Sequence, residues 1–149
     1  MGEIFFDSSD FENKFGDIAK RIIPLLAEKG VAKAGLQLMS DCVMISPTVP
    51  IKEGYLRGSG SVFVQNKLIR VSAYGKPGKA NSSFSESIPG GVVEAVVGFN
   101  TPYAAKMHEG VDFHFSEPSA GPKYLESKMV SQKEIYMEIV ANEIRGGAK

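Results

Sequence analysis

The stretch from Gly98 to Gly110, Gly-Phe-Asn-Thr-Pro-Tyr-Ala-Ala-Lys-Met-His-Glu-Gly, leaves the backbone few choices. It follows an alternating apolar run, Val92, Val93, Ala95, Val96 and Val97, that reads as a strand. Asn100 and Thr101 carry side-chain oxygens able to cap a helix, and Pro102 suits the first helical position, where no N–H is needed. Tyr103 and Met107 fall four apart on one helical face, and Gly110 is suited to end the turn in the left-handed conformation. The chain is therefore predicted to pass from strand through a capped turn into one or two helical turns and stop. Tyr103, Lys106, His108 and Glu109 gather polar groups where the backbone is tightly held, so function is sought here first.

Upstream, Ser9 with Glu12 fits a capping box. Phe11, Phe15, Ile18, Ile22 and Leu25 then trace an apolar helical stripe, continued by Val31, Ala34, Leu38, Cys42 and Ile45 up to Ser46-Pro47. Pro24 lacks an N–H and is expected to bend or break this helix, with Gly30 as a second interruption. The prediction is a kinked helix or a helix pair over about residues 10 to 45. Residues 46 to 60 carry two prolines and three glycines and form a structured loop. Ser61 to Gln65 and Leu68 to Tyr74 are predicted to pair as a hairpin turning at Asn66-Lys67. In the second arm Ile69, Val71 and Ala73 form the buried face and Arg70 and Ser72 the wet one.

Gly75 to Gly91 has no periodicity and is rich in Gly, Pro and Ser. A loop of that length within a compact domain is commonly functional or disordered. We read it as a flexible arm between strands, with Phe84 and Ile88 as anchors on a partner, against the plainer reading of an idle loop. After the irregular aromatic run Val111 to Pro122, a final helix is predicted from about residue 122 to Ile144, ended by Gly146-Gly147, with Leu125, Met129, Tyr136, Val140 and Ile144 on its apolar stripe. The fold expected is a single α+β domain over residues 1–149. It has an antiparallel sheet of about four strands, with a short helix and the long C-terminal helix packed on one face.

At 149 residues, 43% hydrophobic and 23% charged, the chain is large enough for one ordered core. Lys plus Arg and Asp plus Glu are equal at 17 each, which argues against a dedicated nucleic-acid binder. A single cysteine, Cys42, excludes an intramolecular disulfide and a cysteine-based zinc site. No signal peptide, myristoylation pattern or membrane-length apolar run is evident, so a soluble protein made in the cytoplasm is expected.

His108, Glu109, Asp112 and His114 form the most enzyme-like cluster. His108 and Glu109 are adjacent and point roughly 100° apart on a helix, and there is no H-E-x-x-H. A small metal-dependent hydrolase using these four residues is the alternative reading; the plainer role for His108 is a hydrogen bond or stacking contact that fixes the turn. No G-x-S-x-G elbow occurs, and Gly75 to Ser82 fails the phosphate-loop pattern. Cys42 falls on the helical stripe, as a small core residue would. We therefore expect a non-enzyme without cofactor.

Three segments carry a resemblance. Pro50-Ile51-Lys52-Glu53-Gly54-Tyr55-Leu56-Arg57-Gly58-Ser59 resembles the "P-v-x-T-G-x-L-r-x-S" segment of the HK97 gp10-like family of tailed-phage proteins, with Glu53 where that family often has Thr. Val97-Gly98, Pro102-Tyr103-Ala104-Ala105 and His108-Glu109-Gly110 resemble its "v-G…Y-A-x-x-v-E-x-G-T" turn, with Val111 in place of the last Thr. Gly121-Pro122-Lys123-Tyr124-Leu125-Glu126 resembles its "r-P-k-F-L-x-p-A" approach to the last helix. The likeness covers about residues 30 to 145.

The resemblance implies a structural protein of the virion at the bacteriophage or prophage neck: a tail-completion, head–tail joining or minor capsid component. Such proteins often work as rings, commonly hexameric. Implied partners are other copies of itself and connector, head-closure, tail-terminator or tail-tube proteins, with DNA met only by passage through the ring and no membrane. Under this reading Gly54 and Gly110 supply special backbone conformations, and Leu56, Tyr103 and Leu125 anchor loop, turn and final helix, with Tyr124 in the third motif. Arg57, Lys106, His108, Glu109 and Glu126 are candidates for salt bridges within the subunit or between neighbours.

Overall fold

The computed structural model describes residues 16, 18–50, 55–72, 86–99, 104–110 and 118–147. A π-helical turn, Ile18–Ile22, runs into α1, Ile23–Met44. There follow α2 (Tyr55–Gly58), the strands β1 (Gly60–Val64), β2 (Lys67–Val71) and β3 (Ala95–Phe99), then α3 (Ala104–Glu109), α4 (Glu126–Ser131) and α5 (Lys133–Gly147). The class is α+β, as expected; the described residues form an antiparallel sheet of three strands, not four, in the order β2-β1-β3.

Pro24 does not break the helix. It lies in the first turn of α1, where its missing N–H has no intrahelical partner to lose. The π turn before it holds more residues per turn than an α-helix and so shifts the apolar phase. Leu26 is consequently buried and Leu25 is 60% exposed, the reverse of the expected stripe. Gly30 is not an interruption either. It is buried in mid-helix, and a Cβ there would lie 2.9 Å from the Cα of Val140 on α5. Gly35 likewise clears space for Val62 of β1, whose side chain a Cβ would approach to 2.9 Å. The two glycines bring α5 and the sheet close to opposite sides of one central helix.

The hairpin turns one residue earlier than expected, at Gln65-Asn66, both with positive φ (49° and 66°). Two left-handed residues give the twist that joins right-twisted strands through a two-residue loop. The register shifts between Val62 and Phe63, leaving Ile69 as an extra residue on β2. This bulge, and the position of α1 over β1 and β3, undo the buried face expected for β2: Ile69 and Val71 are 40% and 38% exposed. Strand β1 is buried throughout.

The far end of the long inter-strand segment is tied to the hairpin tip. The Asn66 amide donates to Glu86 O (2.8 Å), and its Oδ1 accepts from Glu86 N–H (3.2 Å). The Gln65 amide likewise donates to Val92 O (3.2 Å) and accepts from Glu94 N–H (2.9 Å). Each side chain mimics the donor and acceptor of a neighbouring strand. Within the segment proposed as an arm, Ile88 is half-buried, and Phe84 lies outside the described residues.

The C-terminal helix is divided. It pauses at Gln132, whose φ of −108° and ψ of 9° leave the helical region, and α5 then continues through Gly146 and Gly147 instead of ending before them. Gly147 packs against the Leu26 side chain, so its missing Cβ serves the α1–α5 crossing. The pause also moves the buried face from Met129, 52% exposed, to Lys128. The core joins Leu38 and Cys42 of α1, Val49, Leu56, Ala104 of α3, Tyr124 and Tyr136 of α5, with Val97 and Phe99 of β3 against it. No described helix is long and apolar enough to cross a membrane.

Candidate assembly site

The three resembling segments meet at one joint. After α1 the chain passes the cis Ser46–Pro47 bond, and Thr48 forms a parallel bridge with Ala120. Thr48 N–H donates to Ser119 O (2.8 Å) and Gly121 N–H to Thr48 O (3.2 Å). Arg57 of α2 reaches back to the same turn, donating from Nε to Val49 O (2.7 Å) and from Nη2 to Thr48 Oγ1 (3.3 Å). Leu56 beside it is 3% exposed. The first segment is thereby locked onto the strand-like approach to the third.

The second and third segments dock through His108. Its backbone carbonyl accepts from Lys123 N–H (2.6 Å), and its ring stands edge-on to Tyr124, centroids 4.9 Å apart. Nε2 accepts from Glu126 N–H (3.3 Å) and Nδ1 meets Glu109 Oε1 (2.9 Å). A neutral imidazole protonated on Nδ1 satisfies both contacts, accepting at one nitrogen and donating at the other. Tyr124, 2% exposed, donates to Ala104 O (3.2 Å) and meets Phe99 edge-on at 5.6 Å. One aromatic ring thus joins β3, α3 and the turn before α4.

Lys123 holds this turn in the left-handed region at φ 57°, a conformation that side chains disfavour. Its ammonium pairs with Glu109 and, at 3.3 Å, with Glu126. The Lys123 ammonium, and after it His108, hold the Glu109 carboxyl below the ordinary carboxylate value. Glu109 in turn pushes Lys123 above its ordinary value. These charges are solvent-exposed, so they fix register more than they add strength.

Behind the joint lies a buried polar cluster that the sequence did not announce. The Lys128 side chain is fully buried, and its ammonium donates to Pro47 O (2.6 Å), Tyr124 O (3.0 Å) and Ser127 Oγ (3.1 Å). Burial lowers its pKa, while Cys42 and Asp41 nearby act in the opposite direction. Asp41, 6% exposed, accepts from Tyr136 Oη (2.7 Å) and Gln37 Nε2 (2.8 Å). Burial, and then the Asp41 contact, raise the Tyr136 phenol.

Of the residues singled out from the sequence, Leu56, Arg57, His108, Glu109, Tyr124, Leu125 and Glu126 converge here, and Gly110 directly follows α3. Lys106 lies on α3. Gly54, Tyr103, Asp112 and His114 lie outside the described residues. Among the described residues, no three of His, Cys, Asp and Glu gather as metal ligands. No known family, curated protein or solved structure matches this chain.

Proposed function

We propose that this chain is a structural component of a tailed bacteriophage or prophage particle at the head–tail junction. It acts as a tail-completion or head–tail joining protein, assembling as a ring and docking connector, head-closure, tail-terminator or tail-tube proteins. The observation that carries the reading is the convergence of the three resembling segments. Thr48, Arg57, Ala120, His108 and Tyr124 join stretches separated by up to about half the chain into one hydrogen-bonded joint. Segments that share a fold-defining joint are what a common architecture requires, whereas chance likenesses need not touch.

The joint suits a building block. Its polar groups are largely satisfied by one another, and its core is fastened by Lys128 and Tyr124. A subunit so fastened keeps its shape while its outer surfaces bind neighbours. The test is electron microscopy of tailed particles assembled with an epitope-tagged copy of this chain, using gold-labelled antibody. Label at the head–tail junction is the expected result; intact particles free of the protein would overturn the reading.

A further inference from the structure

Helix α4 begins without a cap of its own. Leu125 stands at its N-terminal boundary and supplies no side-chain cap, and the N–H of Glu126, the first residue of the helix, has no intrahelical carbonyl to meet. The N–H groups that follow are provided for: Ser127 donates to Lys123 O (2.8 Å), and Lys128 and Met129 donate to Leu125 O (both 3.2 Å). Glu126 N–H instead donates across the joint to His108 Nε2 (3.3 Å). The imidazole on α3 therefore does for α4 what a serine or aspartate at the boundary ordinarily does.

A histidine cap differs from those in one respect. Its acceptor is a ring nitrogen that a proton can occupy, and histidine ordinarily changes charge between pH 5 and 8. Turning the ring over restores nothing, because both nitrogens of an imidazolium donate. Among the described residues, the charged and titratable groups around the ring are Glu109 on its own helix and Lys123, Tyr124 and Glu126 on the facing turn and α4. Glu109 Oε1 accepts from Nδ1–H at 2.9 Å whether the ring is neutral or charged. Tyr124 keeps its proton: burial raises the phenol, and its Oη donates to Ala104 O. The Lys123 ammonium engages the carboxylates of both Glu109 and Glu126. Protonation thus reverses one contact, at Nε2, where N–H would then face N–H.

We infer that His108 is a proton-operated latch on α4. Neutral, it caps the helix; protonated, it releases the Glu126 N–H and lets the first turn open. The bond from Lys123 N–H to the His108 carbonyl is main chain to main chain and does not depend on the ring, so α3 stays on the turn. The freed turn leads into Lys128, whose ammonium ties α4 to Pro47 O, so the latch bears on the link between the third and first resembling segments. It is a property of the single subunit and does not rest on ring assembly.

NMR of the full-length, ¹⁵N-labelled protein between pH 5 and 8 tests this, with the His108 ring assigned by through-bond correlation. Glu109, lowered from 4.5, and Lys123, raised from 10.5, keep their charges across that window. At pH 8 the ring is expected to carry its proton on Nδ1. As pH falls, protection of the Glu126 amide against exchange, corrected for the intrinsic pH dependence, is expected to drop several-fold with the midpoint of the His108 ring signals, while that of Lys123 stays level. In His108→Gln the Glu126 step should be absent; the native-sequence readouts decide the matter even where that variant does not fold. A neutral ring protonated on Nε2, or Glu126 protection that does not follow the ring's titration, would overturn the inference. So would a step shared equally by Lys123, since the whole joint and not the cap of α4 would then be loosening.

Discussion

Gly30 and Val140 cross so closely that a methyl group on residue 30 would lie 2.9 Å from the Val140 Cα and 3.2 Å from its carbonyl oxygen. The atoms in the way are backbone, which cannot swing aside as a side-chain tip would. Replacing a helical glycine by alanine normally gains about 1 kcal/mol of helix propensity. Here overpacking, at about 1–3 kcal/mol or more, opposes that gain. Gly30→Ala is predicted to destabilise the protein by about 1–2 kcal/mol, lowering Tm by roughly 2–8 °C at this chain length. Thermal or urea unfolding decides it; a stabilised variant would mean that α1 and α5 are not in contact there.

The fully buried Lys128 ammonium links Pro47 O to Tyr124 O across the joint. Lys128→Met keeps most of the stem but leaves both carbonyls without that donor. A hydrogen bond to a charged group contributes about 1.5–3 kcal/mol, and relief of the ammonium's desolvation offsets part of the loss. A net destabilisation of about 2 kcal/mol is expected from urea unfolding. Tyr136→Phe, which leaves Asp41 short of one buried donor, is expected to cost about 1–3 kcal/mol.

Docking of α3 on the turn before α4 depends on pH at both ends. Glu109 has a folded-state pKa below the ordinary 4.5, so its contribution is complete above 4.5 and is lost as pH falls through the folded value. Lys123 is raised above 10.5, so its contribution is complete below 10.5 and is lost as pH rises through the raised value. Amide hydrogen exchange at Lys123, whose N–H donates to the His108 carbonyl, corrected for its intrinsic pH dependence, should show steady protection between these limits and weakening outside them. In Glu109→Gln the acid-side loss should disappear. A constant protection factor throughout would refute the assignment.

Burial pushes the Cys42 thiol up to about 12, with Lys128 pulling it down and Asp41 adding to the rise. The thiolate is the reactive form, and an exposed thiol titrates near about 8.5. At neutral to mildly basic pH, Cys42 is predicted to react with a disulfide reagent about a thousandfold more slowly in native protein than in urea. Rapid native labelling would show that α1 does not cover it.

Periodicity made α1, the hairpin and the C-terminal helical region legible, because burial of one face repeats with the geometry of the element. It misplaced what depends on a partner element. Gly30 reads as a helix breaker until α5 crosses it, and Leu25 reads as core until the π turn shifts the phase. The bulge at Ile69 has no local mark in the sequence. At the joint, His108, Tyr124 and Arg57 could be named, but their docking joins positions beyond the reach of local pattern, 9 residues apart for Arg57 and Thr48 and 16 for His108 and Tyr124. Lys128 was missed because a lysine on a helix is ordinarily exposed. The carbonyls of Pro47 and Tyr124, brought to it by the fold, together with Ser127 Oγ, make its burial tolerable.

The central claim, that this chain builds a ring, is tested most directly by the mass of the purified protein from light scattering over a wide concentration range. The account predicts a discrete multimer, of about six subunits if it follows the hexameric rings of the proteins it resembles, that persists on dilution until it dissociates to monomer. A protein that stays monomeric up to its solubility limit, or grows without a preferred size, would contradict self-assembly into a closed ring.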